Sequence, residues 1–378
     1  MRIVTLAGSS AIIRNGFTKA IAKSSYVSDF KNYSVGLTTS ISTLYFSKTV
    51  DLSGSDFVIF GISNNEEYLL SENKEYKDFI ASILVATYQN ILNCGATPVV
   101  CILPLKRVAA ERMKMRRIYL DICAQYNIPY FDAHDLVMVF RRMGFRQEEI
   151  FQDEKHLSSW AALCMGKMIV SGLEKLRHSS AKFIRSRIEA PAYQVVSVAH
   201  LNKNQDRVSH KNSLHSFDFS RITQSNPLHV EIARDGKLIG AVFNSPNSRG
   251  VIQIGDDPGH RINFNTNIGS SPQNKDFILS IGSLTPGVPV EQVINLRLSS
   301  DDAAHENALS FPLLRTDAFS NIDCTVELSD LIFELSGPPN VTQTMLHPQM
   351  GVNLYRSAEH GLPEVAAEIY TAFKDIKK

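Results

Sequence analysis

The feature that narrows the fold most is an alternation of strand and helix patterns over the first 178 residues. Apolar strand-like runs stand at residues 3–7, 57–62, 98–103 and 129–132, with a shorter one at 31–35. Helical patterns occupy 16–23, 74–94, 108–126 and 158–177. In 74–94 the residues Phe79, Ile80, Ile83, Leu84, Tyr88, Ile91 and Leu92 recur at spacings of three and four, which is one face of a helix. Gly95 then reads as a C-cap, and Pro98 opens the next strand. Such alternation predicts a parallel sheet with helices on both faces, a three-layer α/β/α domain. On that architecture reactive groups sit at the carboxyl ends of strands.

Beyond residue 178 the pattern changes. Residues 179–193 are polar and basic and reach Ala190-Pro191, which reads as a linker. From 194 to 338 short alternating runs replace the helices, at 228–233, 238–244, 251–254, 277–281, 292–298, 324–328 and 331–335. Broken by Gly, Asn, Ser and Pro, they predict a C-terminal β-sandwich. Arg234-Asp235-Gly236-Lys237 carries a hairpin turn signal. Phe217, Phe219, Phe243 and Phe264 read as core rather than as a sugar-binding strip. Residues 339–378 form a tail whose last stretch, 363–376, is helical in pattern.

Composition removes several function classes. The formal charge of +1 gives no electrostatic case for nucleic acid or an anionic membrane. No apolar run approaches the ~20 residues of a membrane span. The chain starts directly in a strand with no leader pattern, so a cytoplasmic location is expected. Cysteines 94, 101, 123, 164 and 324 are scattered without a C-x-x-C spacing, which reads as reduced thiols. No cofactor or metal is expected. Asp132-Ala133-His134-Asp135 reads as a strand end with its loop, and Asp256-Asp257-Pro258-Gly259-His260 as turn chemistry.

The chemistry is carried by two short strings. Asp153-Glu154-Lys155-His156 places an acid and a histidine three apart, just ahead of the last helical run of the domain. A carboxylate that orients an imidazole is two-thirds of a hydrolytic triad. The missing hydroxyl is offered where strand 3–7 runs into Gly8-Ser9-Ser10.

With these strings and two more, the chain resembles the SGNH (GDSL-type) hydrolases. Gly8-Ser9-Ser10 looks like the first block of that family, with Ser10 in the nucleophile position and Ser9 the next candidate. Asn32-Tyr33-Ser34-Val35-Gly36 looks like the second block, Gly61-Ile62-Ser63-Asn64-Asn65 like the third, and Asp153 to His156 like the fourth. The resemblance covers residues 1–178. It implies a triad of Ser10, His156 and Asp153. It also implies an oxyanion hole formed by the backbone N–H groups of Ser10 and Gly36 and the side chain of Asn64. The third block has one residue more than the family pattern between glycine and asparagine, so Asn65 is the alternative donor. Arg14 and Asn15, just past the nucleophile turn, are either substrate contacts or decoration of the first helix. Trp160 reads as a core residue under the site.

The strings G-S-S-x-x-x-R-N-G-F and N-Y-S-V-G-x-T-T-S are similar to a branch found with bacterial surface-polysaccharide genes, which implies a bacterial source. The implied function is a serine esterase acting on an acyl ester, most simply an O-acetyl group, of a carbohydrate or glycan precursor. The alternatives are an O-acyltransferase using the same triad and an inactive glycan-binding or assembly protein. The β-domain is expected to shape the substrate cleft or to build a homo-oligomer.

Overall fold

The computed structural model describes residues 1–70, 75–178, 184–199, 207–257, 259–267, 277–299, 308–311, 315–316, 324–346, 353–358 and 361–376. The chain divides into two units. Unit 1 holds residues 1–36, 50–189 and 341–378, and unit 2 holds 37–49 and 190–340.

The elements up to residue 178 are, in order, β1 (Arg2–Ala7), α1 (Phe17–Ala22), β2 (Asp29–Asn32), α2 (Ile41–Thr49), β3 (Phe57–Gly61), α3 (Ser63–Leu70), α4 (Glu75–Asn93), β4 (Thr97–Ile102), α5 (Lys114–Tyr126), β5 (Tyr130–Asp132), α6 (Ala133–Arg142), α7 (Gln147–Ile150) and α8 (Ser159–His178). The five strands form one sheet in the order β2-β1-β3-β4-β5, with every pair parallel. Alternate strand residues face opposite ways. Ile3, Ile59, Val99, Cys101 and Phe131 belong to one core cluster with Phe17, Ile21, Trp160, Met165 and Ile169 of α1 and α8. Leu6, Val58, Phe60, Val100 and Ile102 are buried too, on the face where α4 and α5 pack on β4. Burial on both faces is why these strands read as continuous apolar runs.

Two C-terminal helices, α9 (Leu354–Ala358) and α10 (Leu362–Ile376), return to unit 1 and pack on α8. Gly172 of α8 makes room for α9, since a Cβ there would lie 2.8 Å from Leu354 Cβ. Leu354, Tyr355, Ala358, Leu362, Ala366 and Ile369 of these helices are therefore part of the core of unit 1.

Unit 2 consists of antiparallel sheets that share one core. The larger sheet runs Leu279–Val290, Gly236–Asn244, Val326–Leu346, Ser216–Ile222, Arg207–Lys211, with Ile184–Ser197 also paired to Val326–Leu346. The smaller runs Leu309–Ser310, Arg261–Asn263, Val251–Ile254, Val293–Leu298, Leu228–Glu231, with one parallel pair at its edge. Leu238, Phe243 and Phe333 of the first sheet and Val230, Ile252 and Leu296 of the second lie in one cluster, which makes a β-sandwich.

Three features differ from the sequence reading. Residues 184–197, within and just past the expected linker, form a strand. The strands flanking Arg234–Lys237 belong to different sheets, so that turn crosses the sandwich and is not a hairpin. Finally, α2 packs into unit 2. Its Tyr45 hydroxyl donates to Asp330 Oδ2 at 3.0 Å, and Phe46 stacks on His215 with centroids 5.6 Å apart. Every residue from Ile41 to Ser47 is buried, so no one-sided stripe marks this helix in sequence.

Candidate active site

Strand order reverses around β1, whose neighbours β2 and β3 lie on opposite sides. Crevices in parallel sheets open at the carboxyl edge of such a reversal. The segment after β1 turns into a single 3-10 turn, Ser9–Ala11, closed by Ala11 N–H donating to the Gly8 carbonyl at 3.0 Å. Beyond β2 the chain keeps its alignment with β1. Tyr33 N–H donates to Thr5 O at 2.9 Å and Val35 N–H to Ala7 O at 3.0 Å. This brings Gly36 level with the turn at Gly8. Asn32 Nδ2 and Thr18 Oγ1 both donate to Ala11 O, at 2.9 Å each, and fix the far side of the turn.

On the other side Ala7 pairs with Gly61. A Cβ on Gly61 would lie 2.1 Å from the Cys101 carbonyl, at φ +151°, so only glycine lets β3 pass β4 here. The start of α3 is clamped. Ser63 Oγ accepts from Leu103 N–H at 2.9 Å, and Ile62 N–H donates to the Tyr119 hydroxyl oxygen at 3.2 Å. That hydroxyl in turn donates to the fully buried Glu66 at 3.1 Å.

The fourth string sits at the tip of a closed loop. Phe151 and Leu157 form a bridge, Gln152 N–H donates to His156 O at 3.0 Å, and Ser158 N–H donates to Ile150 O at 2.8 Å. Below the loop, the indole N–H of Trp160 donates to Glu149 O at 2.8 Å. Trp160 lies 5% exposed among Phe140, Phe145 and Tyr370, as a core residue. The loop after β4 holds the tip from outside. Lys106 N–H donates to Glu154 O at 3.0 Å, and Arg107 pairs with the Glu154 carboxylate at 3.2 Å.

Within the tip, Asp153 Oδ1 accepts from the backbone N–H groups of Lys155 and His156 at 2.8 and 2.9 Å. Both carboxylate oxygens lie against His156 Nδ1, at 2.9 and 3.0 Å. Burial acts to raise the Asp153 carboxyl, but the Lys155 N–H and the His156 ring and N–H outweigh it and hold the group below the ordinary aspartate value. An ionised carboxylate only accepts, so Nδ1 carries a proton, and in the neutral ring Nε2 then presents its lone pair. Nε2 lies 2.7 Å from the hydroxyl of Ser9.

The imidazole thus meets Ser9, whereas the sequence pattern had put Ser10 at that position. The third string shows a similar one-residue shift. Asn64 Nδ2 donates to Lys155 O at 3.2 Å, so its amide braces the His156 loop. The Asn65 amide faces the turn, since a Cβ on Gly8 would lie 3.5 Å from Asn65 Nδ2. Gly36 sits where a Cβ would touch Ile12 Cδ1, 3.5 Å away. Among the described residues, the N–H groups of Ser9 and Gly36 donate to no protein acceptor. Asn15 accepts from Lys19 Nζ at 2.7 Å and Arg14 is exposed. The string 132–135 ends β5 and starts α6, with Asp132 capping His134 N–H at 3.0 Å and pairing with Arg116 at 2.7 Å. The described residues contain no group of three metal-ligating side chains and no helix long and apolar enough to cross a membrane.

No family model matches the chain, and no curated protein matches it in sequence. Solved structures do. A two-domain esterase active on acetylated mannans, crystallised with mannopentaose, is similar over 89% of this chain and 92% of its own, with a TM-score of 0.54 at 14% identity. Unit 1 has the SGNH-hydrolase fold. The likeness extends through the β-sandwich, because so little of either chain is left out. An acetyl xylan esterase, AlAXEase, covers 46% of this chain and all of its own length, at 10% identity and a TM-score of 0.39. TesA covers 46% of this chain and 99% of its own, at 17% identity and a TM-score of 0.36.

Proposed function

We propose that the protein is a serine esterase that removes an O-acetyl group from a carbohydrate, with Ser9 as nucleophile, His156 as base and Asp153 as its orienting acid. The observation that carries this reading is the unbroken line from Asp153 through His156 Nδ1 and Nε2 to the Ser9 hydroxyl. A serine hydroxyl needs a base within hydrogen-bond reach to attack a carbonyl.

As Ser9 Oγ bonds to the ester carbon, its proton passes to Nε2. The carbonyl oxygen becomes an oxyanion facing the N–H groups of Ser9 and Gly36 and the amide of Asn65. Donors fixed in advance cost no reorganisation when that charge develops. Collapse expels the sugar oxygen, which takes the proton from Nε2. Water then loses its proton to Nε2, attacks acyl-Ser9 and releases acetate, and Ser9 regains its proton. Asp153 stays ionised throughout and stabilises the imidazolium.

The sugar substrate is supported by the two-domain architecture shared with an esterase active on acetylated mannans. The test is hydrolysis of p-nitrophenyl acetate and of acetylated oligosaccharides by the full chain, beside Ser9→Ala and Ser10→Ala. Release of acetate that Ser9→Ala abolishes and Ser10→Ala spares supports the reading. No turnover of any ester by the folded wild-type protein overturns it.

A further inference from the structure

A cavity of about 550 Å³ lies wholly in unit 1. Its walls come from the segments that follow β4 and β5, from α6 and from α9. It therefore opens at the same carboxyl edge of the sheet as the Ser9 turn, further along the strand order. Phe151, the base of the His156 loop, forms part of its wall. The segment carrying Lys106 lines the cavity and also holds the Glu154 carbonyl at 3.0 Å.

The lining is cationic. Lys106, Arg141, Arg142 and Arg356 line it, and among the described residues none of these side chains is in an ion pair. Arg116 also lines it, but its charge is matched by Asp132. Two acids offset part of the cationic charge: Asp135, which accepts from Asn353 Nδ2 at 2.6 Å, and the exposed Glu111. At the wall His134 is 5% exposed, with Nε2 buried and unpartnered. Burial, then the Arg116 charge, pushes His134 down to about 4, so the ring adds no charge of its own. Four cations from three segments, with Arg141, Arg142 and Arg356 exposed, outnumber Asp135 and Glu111 around one concavity, and an anion placed among them removes part of their mutual repulsion.

We propose that this cavity binds an anionic group, a carboxylate or a phosphoryl, carried by the sugar that the esterase deacetylates. The inference rests on the esterase reading for the word substrate, and on the cavity alone for the anion. An acidic sugar held here lies beside the His156 loop, and its charge adds affinity without touching the reacting ester. Arginine suits the role because its planar fork meets carboxylate and phosphoryl oxygens in pairs.

The experiment is calorimetric titration of the full chain with glucuronate, glucose 1-phosphate and glucose. At least one of the two anionic sugars should bind more tightly than glucose, and which of them binds better tells a carboxylate from a phosphoryl ligand. The double variant Arg141→Gln/Arg142→Gln should weaken that binding roughly tenfold or more, the scale of a lost hydrogen bond to a charged group. Its turnover of p-nitrophenyl acetate should stay at the wild-type level. Should the double variant not fold, Arg356→Gln from α9 carries the same expectation. Equal binding of all three sugars, or unchanged binding in the variants, overturns the proposal. A protein that binds the anion yet hydrolyses no ester overturns the esterase reading and leaves the anion site standing.

Discussion

The Ser9 hydroxyl lies 2.7 Å from Nε2 of His156, 147 residues away in sequence. Ser9 is placed by the end of β1 and His156 by the loop that leads into α8. Beside the contacts of Asn64 and Lys106 with the His156 loop, the packing of α1 on α8 joins the two segments. At that contact a Cβ on Gly166 would lie 2.2 Å from the Phe17 carbonyl oxygen and 2.7 Å from Ala20 Cβ. Gly166→Ala should therefore force the two helices apart. Overpacking of this kind costs about 1–3 kcal/mol. Denaturant titration should show that loss, and esterase activity should fall with it although Gly166 touches no reacting group. Unchanged stability would mean that the helices part without cost.

Asp153→Asn tests the orienting acid. The amide can still occupy the space but can offer its own N–H to Nδ1, which favours the wrong tautomer. A loss in kcat on the order of 10³–10⁴ is expected with little change in KM. The melting temperature should stay near that of the wild type, because the substitution keeps an oxygen for the Lys155 and His156 N–H groups. Loss of less than tenfold would show that His156 does not depend on this carboxylate.

The two asparagines of α3 should separate by kind of effect. Asn65→Ala should lower kcat roughly a hundredfold or more with KM nearly unchanged, as removal of an oxyanion donor does. Asn64→Ala removes the hydrogen bond to Lys155 O and frees the His156 loop, so it should lower stability together with activity. An Asn64→Ala variant of normal stability with the larger kcat defect would reverse these roles.

A pH-dependent prediction concerns the base of the loop. The Tyr370 hydroxyl of α10, then Arg146 N–H, hold the Glu149 carboxyl down to about 2 from an ordinary 4.5. A group whose folded pKa is depressed stabilises the fold above its unfolded pKa and loses that contribution as pH falls through the folded value. Tyr370→Phe should thus be less stable than wild type at pH 7. The difference should shrink between pH 4.5 and 2. A stability gap independent of pH over that window would mean that the hydroxyl acts through packing alone.

The parallel sheet was legible because residues such as Val58, Phe60, Val99 and Cys101 are buried on both faces and leave unbroken apolar runs. The Asp153–His156 pair was legible because both groups lie in one short loop, where spacing alone brings them together. The choice between Ser9 and Ser10, and between Asn64 and Asn65, was not. Adjacent residues on a tight turn point in different directions, and only the 3-10 turn after Gly8 and the clamped start of α3 set which one faces His156 or Gly8. Periodicity was equally silent on partners. It marked α10 as a helix but not its seat on α8, and α2 carried no stripe because it is buried all round.

The most direct measurement is the position of the adduct formed by a fluorophosphonate, which labels an activated serine and spares an ordinary one. Full-length protein is inactivated at neutral pH, and the tryptic peptide of residues 3–14, which contains both serines, is fragmented in a mass spectrometer. The account predicts a single adduct on Ser9, and none after His156→Ala. An adduct on Ser10, or none on either serine in folded wild-type protein, would contradict it.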